Sequence, residues 1–327
     1  MVKGKRFVLT KDFEGFPKES DFKLEEYELA SINEGEFLAE AVYLSVDPYM
    51  RAKASSWSMV GKTMTGSQVA KILESKNPKF PPGKHVVGNF GWQTHTVSNG
   101  ESIQLVPDLG ELPLSLSLGV LGMPGNTSYF GFLELCQPKS GETVVVSGAA
   151  GAVGSHVGQI AKIKGCTVIG IAGSDEKGKW LTEKLGFDHF INYKTANIAE
   201  ELKKAAPKGV DCYFDNVGGE ISSIVIYQMN LYGRISVCGS ISSYNESERA
   251  LAPMLQRGFA GKQLKMEGFM VHRWNNRFME GVTQNLEWIK EGKLKYQETV
   301  TNGFENMVKA FIGMLKGENV GKAIVKA

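Results

Sequence analysis

The run Ser147-Gly-Ala-Ala-Gly-Ala-Val-Gly-Ser155 sets small residues at Ala149, Gly151 and Gly154. Dinucleotide-binding turns have this spacing, because a missing Cβ lets backbone approach a pyrophosphate and lets helix close onto strand. The helix that follows points unpaired N–H groups at the anion. Gly151, Ala152, Val153 and Gly154 are therefore candidate cofactor ligands. An ordinary tight turn would use the same glycines, and the flanks distinguish the two. Residues 143–149 form a continuous apolar strand pattern, and Val153, Val157, Ile160 and Ala161 recur at helical spacing.

A dinucleotide without a 2′-phosphate usually meets an acidic residue about 20 positions further on, at the end of the second strand. Here that count reaches Ser174, with Asp175 and Glu176 next. If Ser174 caps the following helix, both acids sit in its first turn, where the dipole favours them, and the strand end is uncharged. Lys177 then either meets a 2′-phosphate or is a solvated surface lysine, and the balance favours NADP over NAD.

Asp47-Pro-Tyr-Met-Arg51 reads as a helix start, with Asp47 as N-cap and Pro48 at the first helical position. That leaves Tyr49 and Arg51 beside a strand end, where side chains face substrate pockets. The loop Cys238, Gly239, Ser240, Ile241, Ser242, Ser243, Tyr244 begins at the end of another strand. Open α/β sheets bind ligands at such ends. A Tyr244 hydroxyl there either donates to a substrate oxygen gaining negative charge or lies idle on the sheet edge. Asp215-Asn-Val-Gly-Gly219 closes a strand in the same way, and Asn216 either bonds the cofactor ribose or amide or forms a turn.

Two kinds of element must position these groups. Up to about residue 106, β-prone segments at 37–46, 68–74 and 85–90 are separated by turns, which reads as a mainly β domain. A helix-like stretch at 128–135 follows. Beyond Gly141 strands at 143–149, 167–173, 189–193, 210–217, 233–239 and 264–271 alternate with helices at 153–164, 175–185, 198–206 and 221–229, the order of a parallel, doubly wound sheet of six strands. A helix at 278–291, a strand at 296–300, a helix from Phe304 to about Phe311 and a strand at 322–325 do not extend that unit and are expected to return to the first domain. The expected division is 1–120, 121–293 and 294–327.

Composition narrows the function. The net charge is +2 with no basic block, so nothing points to nucleic acid or anionic lipid. No 18-residue apolar run and no leader-like h-region is present, and cytoplasm is the expected location. The four cysteines lack C-x-x-C spacing, and Cys166, Cys212 and Cys238 sit in or beside apolar strand patterns as small hydrophobes. His85, His95, His156, His189 and His272 show no metal spacing, so no metal is expected. Without a G-x-S-x-G elbow, Walker loop or H-E-x-x-H helix, hydrolase and kinase chemistry lose support.

Taken together, Val46-Asp-Pro-Tyr-Met-Arg51, Ala149-Ala-Gly-Ala-Val-Gly154, Phe214-Asp-Asn-Val-Gly-Gly219 and Gly303-Phe-Glu-Asn-Met307 resemble the medium-chain dehydrogenase/reductases. The likeness is to the zinc-free leukotriene B4 12-hydroxydehydrogenase/prostaglandin reductase branch and spans essentially the whole chain. It implies an α/β fold, a GroES-like β domain paired with a Rossmann domain, and a homodimer joined through the sixth strand. The activity it implies is NADPH-dependent reduction of the double bond of 15-oxo-prostaglandins and 2-alkenals, with NADP⁺-dependent oxidation of leukotriene B4. Gly151 to Gly154 would hold the pyrophosphate, and Lys177 and Tyr193 the 2′-phosphate. Asn216, residues 238–244, Phe269, Met270, Val271 and Asn319 would complete the cofactor site, with Tyr244 at the substrate carbonyl. Residues 245–253 depart from the proline-rich loop of close relatives and are expected to edge the substrate pocket. A quinone oxidoreductase of the same superfamily and a non-catalytic NADPH-binding protein remain open alternatives.

Overall fold

The computed structural model describes residues 2–56, 59–246 and 255–327. Two compact units form, one from the residues up to Gly119 together with Glu298–Ala327, the other from Val120–Gln297.

The first unit is mainly β. β1 (Val2–Leu9) and β2 (Phe22–Leu29) make an antiparallel ribbon. β3 (Phe37–Ser45), β4 (Gln68–Ser75), β5 (His85–Gly88) and β7 (Gln104–Leu105) follow one another across a seven-stranded sheet, with β6 (His95–Ser98) also on β3. α1 (Tyr49–Ser56) leaves the end of β3. The C-terminal strand Lys322–Lys326 pairs antiparallel with β3, and Glu298–Asn302 lies parallel beside it. Strand alternation turns Phe22 of β2 into the core, and Trp92 and Phe311 reach it from the segment between β5 and β6 and from the helix Met307–Leu315. Phe22 stacks on Trp92 at 5.5 Å, and Phe311 meets the same indole edge-on at 5.5 Å.

The second unit is a six-stranded, fully parallel sheet between helices. In chain order come α2 (Met123–Leu133), β8 (Thr143–Ser147), α3 (Gly154–Ile163), β9 (Thr167–Ala172), α4 (Asp175–Lys179), β10 (His189–Asn192), α5 (Ile198–Ala205) and β11 (Val210–Asp215). α6 (Gly219–Tyr227), β12 (Met229–Val237), α7 (Gln256–Lys262), β13 (Lys265–Gly268) and α8 (Phe278–Lys290) complete it. The strand order β10-β9-β8-β11-β12-β13 reverses direction between β8 and β11, the switch point at which such sheets bind nucleotides. Val144, Val145 and Val146 are wholly buried, which explains the unbroken apolar run of β8: both sheet faces are covered.

Several boundaries differ from the sequence pattern. Residues 123–127, expected ahead of a helix at 128, are the first turn of α2, and Pro124 suits it because the opening N–H groups have no intrahelical partner. The helix expected at 175–185 divides into α4 and a wider π-type turn, Trp180–Lys184. β13 stops at Gly268, and the next side chain, Phe269, packs its ring onto Gly131 of α2. The strand expected at 296–300 lies at Glu298–Asn302. Residues 247–254, which include most of the segment expected to edge the substrate pocket, lie outside the described residues. Among the described residues no helix is long and apolar enough to cross a membrane.

Candidate active site

In the second unit the turn from β8 into α3 carries Gly151, Ala152 and Val153, and Gly154 opens the helix. A Cβ on Gly154 would overlap the Gly148 carbonyl oxygen and come within 2.8 Å of Ala149 Cα. At Gly151 the nearest atom to such a Cβ is 3.4 Å away, so Gly154 is the glycine that packing demands. Gly148, not singled out from the pattern, turns the chain at φ +59°, where other residues are strained.

At the end of β9, Ser174 caps α4 by accepting from the Lys177 N–H at 3.3 Å. Asp175 Oδ1 accepts from Asn192 Nδ2 at 2.8 Å, and the donors at the start of α4 hold the exposed Glu176 carboxyl below its ordinary value. Both acids are thus engaged in the first turn of α4. The Tyr193 ring lies over Gly173, whose missing Cβ would sit 3.0 Å from it. Burial first, and then the positive charge of Lys194, hold the Lys177 ammonium below the usual lysine range. Lys194 is a cation the sequence pattern did not mark. Its signal was its place directly after Tyr193 at the end of β10.

The fourth strand end is a hydrogen-bonded hub. Asn216 Nδ2 donates to the Ser147 carbonyl at 2.7 Å, and its backbone N–H donates to Ser147 Oγ at 3.0 Å. The Asn216 amide nitrogen therefore ties two strand ends together. In the 238–244 loop, Cys238 and Gly239 N–H groups donate to the Asp215 carbonyl at 2.8 and 3.2 Å. The half-buried Tyr244 hydroxyl accepts from the Ser240 N–H at 3.4 Å, leaving its own proton to donate. Burial raises the Tyr244 phenol above its ordinary value. The Phe269 ring packs with Phe214 and Trp274 at 6.2 and 5.6 Å, Met270 is exposed and Val271 is partly buried.

Tyr49, Arg51 and Asn319 belong to the first unit. Tyr49 opens α1 and packs against that unit's core, and burial, reinforced by the charge of Asp47, raises its phenol. Arg51 is buried, with Nη2 donating to the Gly15 carbonyl at 2.8 Å and its guanidinium 4.9 Å from the Phe13 ring centroid. Those contacts tie residues 13–15 to α1. Asp47 was expected to cap α1. Its carboxylate instead accepts from Ser45 Oγ and pairs with Lys322 Nζ at 3.0 Å. The Asn319 amide donates to the Gly321 carbonyl at 2.8 Å.

A doubly wound sheet with a glycine-rich turn at its switch point, in a chain whose other unit is mainly β and closed by the C-terminal strands, defines a class of nucleotide-dependent oxidoreductase. Family models agree: residues 5–106 match the N-terminal domain of oxidoreductase, and residues 152–288 match zinc-binding dehydrogenase. Among the described residues no three His, Cys, Asp or Glu side chains converge as metal ligands, so the residues do not fit the zinc that the second description names. The chain belongs to the medium-chain dehydrogenase/reductase family, in its zinc-free branch. Within it the chain is 54 % identical to Prostaglandin reductase 1 of Bos taurus, over 100 % of both chains. It is 40 % identical to the 2-alkenal reductase (NADP(+)-dependent) of Nicotiana tabacum, over 99 % of this chain and 97 % of the relative. The crystal structure of CurA in complex with NADPH from Vibrio vulnificus superposes with a TM-score of 0.93 at 39 % identity, covering 99 % of each chain.

Proposed function

We propose that this protein reduces the α,β carbon–carbon double bond of enones and enals, 15-oxo-prostaglandins and 2-alkenals among them, with NADPH, and oxidises the 12-hydroxyl of leukotriene B4 in the reverse sense of cofactor use. The observation that carries the reading is Tyr244, a protonated donor on the 238–244 loop that hydrogen bonds tie to the switch point of the sheet. Gly151 to Gly154 take the pyrophosphate; Lys177, Tyr193 and Lys194 take the 2′-phosphate, since Asp175 is already bonded to Asn192 and both acids lie in the first turn of α4. Asn216, residues 238–244, Phe269 to Val271 and Asn319 complete the cofactor site.

When bound, the dinucleotide would supply the hydride taken up at the β-carbon, and a proton from water taken up at the α-carbon completes the reduction. The chain's task is to orient the substrate and stabilise charge. Tyr244 donates to the carbonyl oxygen as it becomes an enolate oxygen, a donor placed where charge develops. Tyr49 and Arg51 border the substrate, and the first unit is the substrate domain. Cytoplasmic location and a homodimer paired through β13, where Met266 is exposed, belong to the same reading.

The test is an NADPH-oxidation assay on a 15-oxo-prostaglandin, a medium-chain 2-alkenal and an ortho-quinone, repeated with NADH. Turnover of enone and enal with NADPH is expected. Turnover of the quinone alone makes the protein a quinone oxidoreductase, and NADPH binding without turnover of any of the three makes it a non-catalytic binder.

A further inference from the structure

Asp215 ends β11 with its side chain buried, and one oxygen of its carboxylate gathers four donors. Oδ1 accepts from Ser147 Oγ at 3.1 Å, Tyr213 Oη at 2.8 Å, Val217 N at 3.0 Å and Gly218 N at 2.9 Å. Ser147 Oγ in turn accepts from Asn216 N at 3.0 Å, so its hydroxyl proton is directed to Asp215. Bonds of N–H and O–H groups to a carboxylate are roughly twice as strong as neutral ones, and in a water-poor setting they set geometry tightly.

The turn made rigid in this way is the anchor of a second loop. The Asn216 carbonyl accepts from Ile241 N at 3.2 Å, and the Val217 carbonyl accepts from Ser242 N at 3.2 Å and Ser242 Oγ at 2.6 Å. Through Ser147 the same carboxylate reaches the last residue before the glycine-rich turn. The side chain therefore bonds the strand end at Ser147 and the turn 215–218 directly, and the carbonyls of that turn hold the 238–244 loop.

We propose that Asp215 is a positioning residue of the cofactor site, a clasp that sets the glycine-rich turn and the Tyr244 loop in register before the dinucleotide arrives. This rests on the reading that this edge of the sheet holds NADPH. A site assembled in advance does not have to order its loops at the moment of binding, and that saving appears as affinity.

The experiment uses the full chain. NADPH is titrated by protein fluorescence into the wild type, Asp215→Ala, Asp215→Asn, Ser147→Ala and, as a matched core lesion, Val225→Ala, whose side chain is buried in the same unit. Amide hydrogen exchange is read on the same proteins without cofactor. Asp215→Ala is expected to raise the NADPH Kd about tenfold, ~1.4 kcal/mol, and to speed exchange at Val217, Gly218, Ile241 and Ser242 together. Asp215→Asn restores affinity to within about threefold, because an amide oxygen still accepts from the two N–H groups. If Asp215→Ala does not fold, Ser147→Ala carries the test and must raise Kd several-fold.

Folded variants at Asp215 and Ser147 that bind NADPH as the wild type does overturn the clasp and leave the cofactor reading intact. A Val225→Ala protein with equal loss of thermal stability and an equal rise in Kd overturns it as well, since the effect is then general softening. A wild type that binds no NADPH overturns both.

Discussion

Lys322 Nζ lies 3.0 Å from Asp47 Oδ1, with both side chains sealed from solvent. The other two ammonium protons go to the carbonyls of Val46 at 2.7 Å and Ala323 at 2.9 Å, so every donor of the lysine is used. The pair fastens the C-terminal strand to the segment that leads into Tyr49. Lys322→Met leaves a carboxylate buried without its cation and is expected to destabilise the protein by about 3–5 kcal/mol in urea unfolding. The double variant with Asp47→Leu regains most of that. A single-variant loss under about 1 kcal/mol, the range of exposed pairs, contradicts the account.

Tyr244→Phe keeps the ring and removes the donor. Loss of one such donor lowers the rate of enone reduction about 10²-fold, while NADPH affinity stays within about threefold of wild type. Because burial raises the phenol above its ordinary value, the wild-type rate should show no loss from Tyr244 ionisation between pH 6 and pH 9, about a unit below the unperturbed tyrosine value. Unchanged enone turnover in the phenylalanine variant removes Tyr244 from the chemistry.

How far these groups were legible in the chain differs by kind. The doubly wound sheet could be read because alternating apolar runs and glycine stops repeat with the period of strand and helix. Tyr244 stood out because it follows a strand end. Asp215 and Ser147 did not, since their role is a set of hydrogen bonds between residues 68 positions apart, and no local spacing encodes it. The Asp47 side chain was misread for the same reason: a sequence-adjacent helix start suggested a cap, and a lysine 275 positions away took the carboxylate. The apolar run continues through Phe269 and Met270 and so extends the sequence pattern beyond β13, whereas Phe269 packs on α2.

Lys177 and Lys194 set two like charges near each other, an arrangement that a phosphate relieves. Lys177→Ala is expected to raise the NADPH Kd about 10- to 100-fold, the worth of one or two charge-assisted bonds, and to leave the NADH Kd unchanged. Equal losses for both dinucleotides in a titration would place Lys177 away from the 2′-phosphate.

Enals alkylate thiolates by addition at the β-carbon, so an enzyme that handles them is exposed to its own substrates. Here Cys136, Cys166 and Cys212 are buried. Burial pushes the Cys166 thiol up to about 11 and the partly exposed Cys238 thiol up to about 12. The thiolate fraction of Cys238 at neutral pH is then lower by about 10³ than for a free cysteine. Intact-mass spectra after incubation with a 2-alkenal and no NADPH should show no cysteine adduct, whereas the urea-unfolded chain gains up to four. Rapid modification of Cys238 in the folded protein would contradict this.

His156 is buried in α3, and its Nδ1 has no hydrogen-bond partner among the described residues. Desolvation lowers its imidazole to about 4, so the folded state holds it neutral while the unfolded chain binds a proton below about 6.5. Between those values the unfolded state carries more protons, and stability rises with pH. The shift corresponds to about 3 kcal/mol, fully present above pH ~6.5 and lost progressively as pH falls toward 4. His156→Leu removes the titrating group and with it this part of the slope. Urea unfolding of both proteins at intervals from pH 4.5 to 7.5 checks it: the two curves should converge on a constant offset above pH ~6.5 and diverge below, and parallel curves throughout would mean that the imidazole is not held neutral by burial.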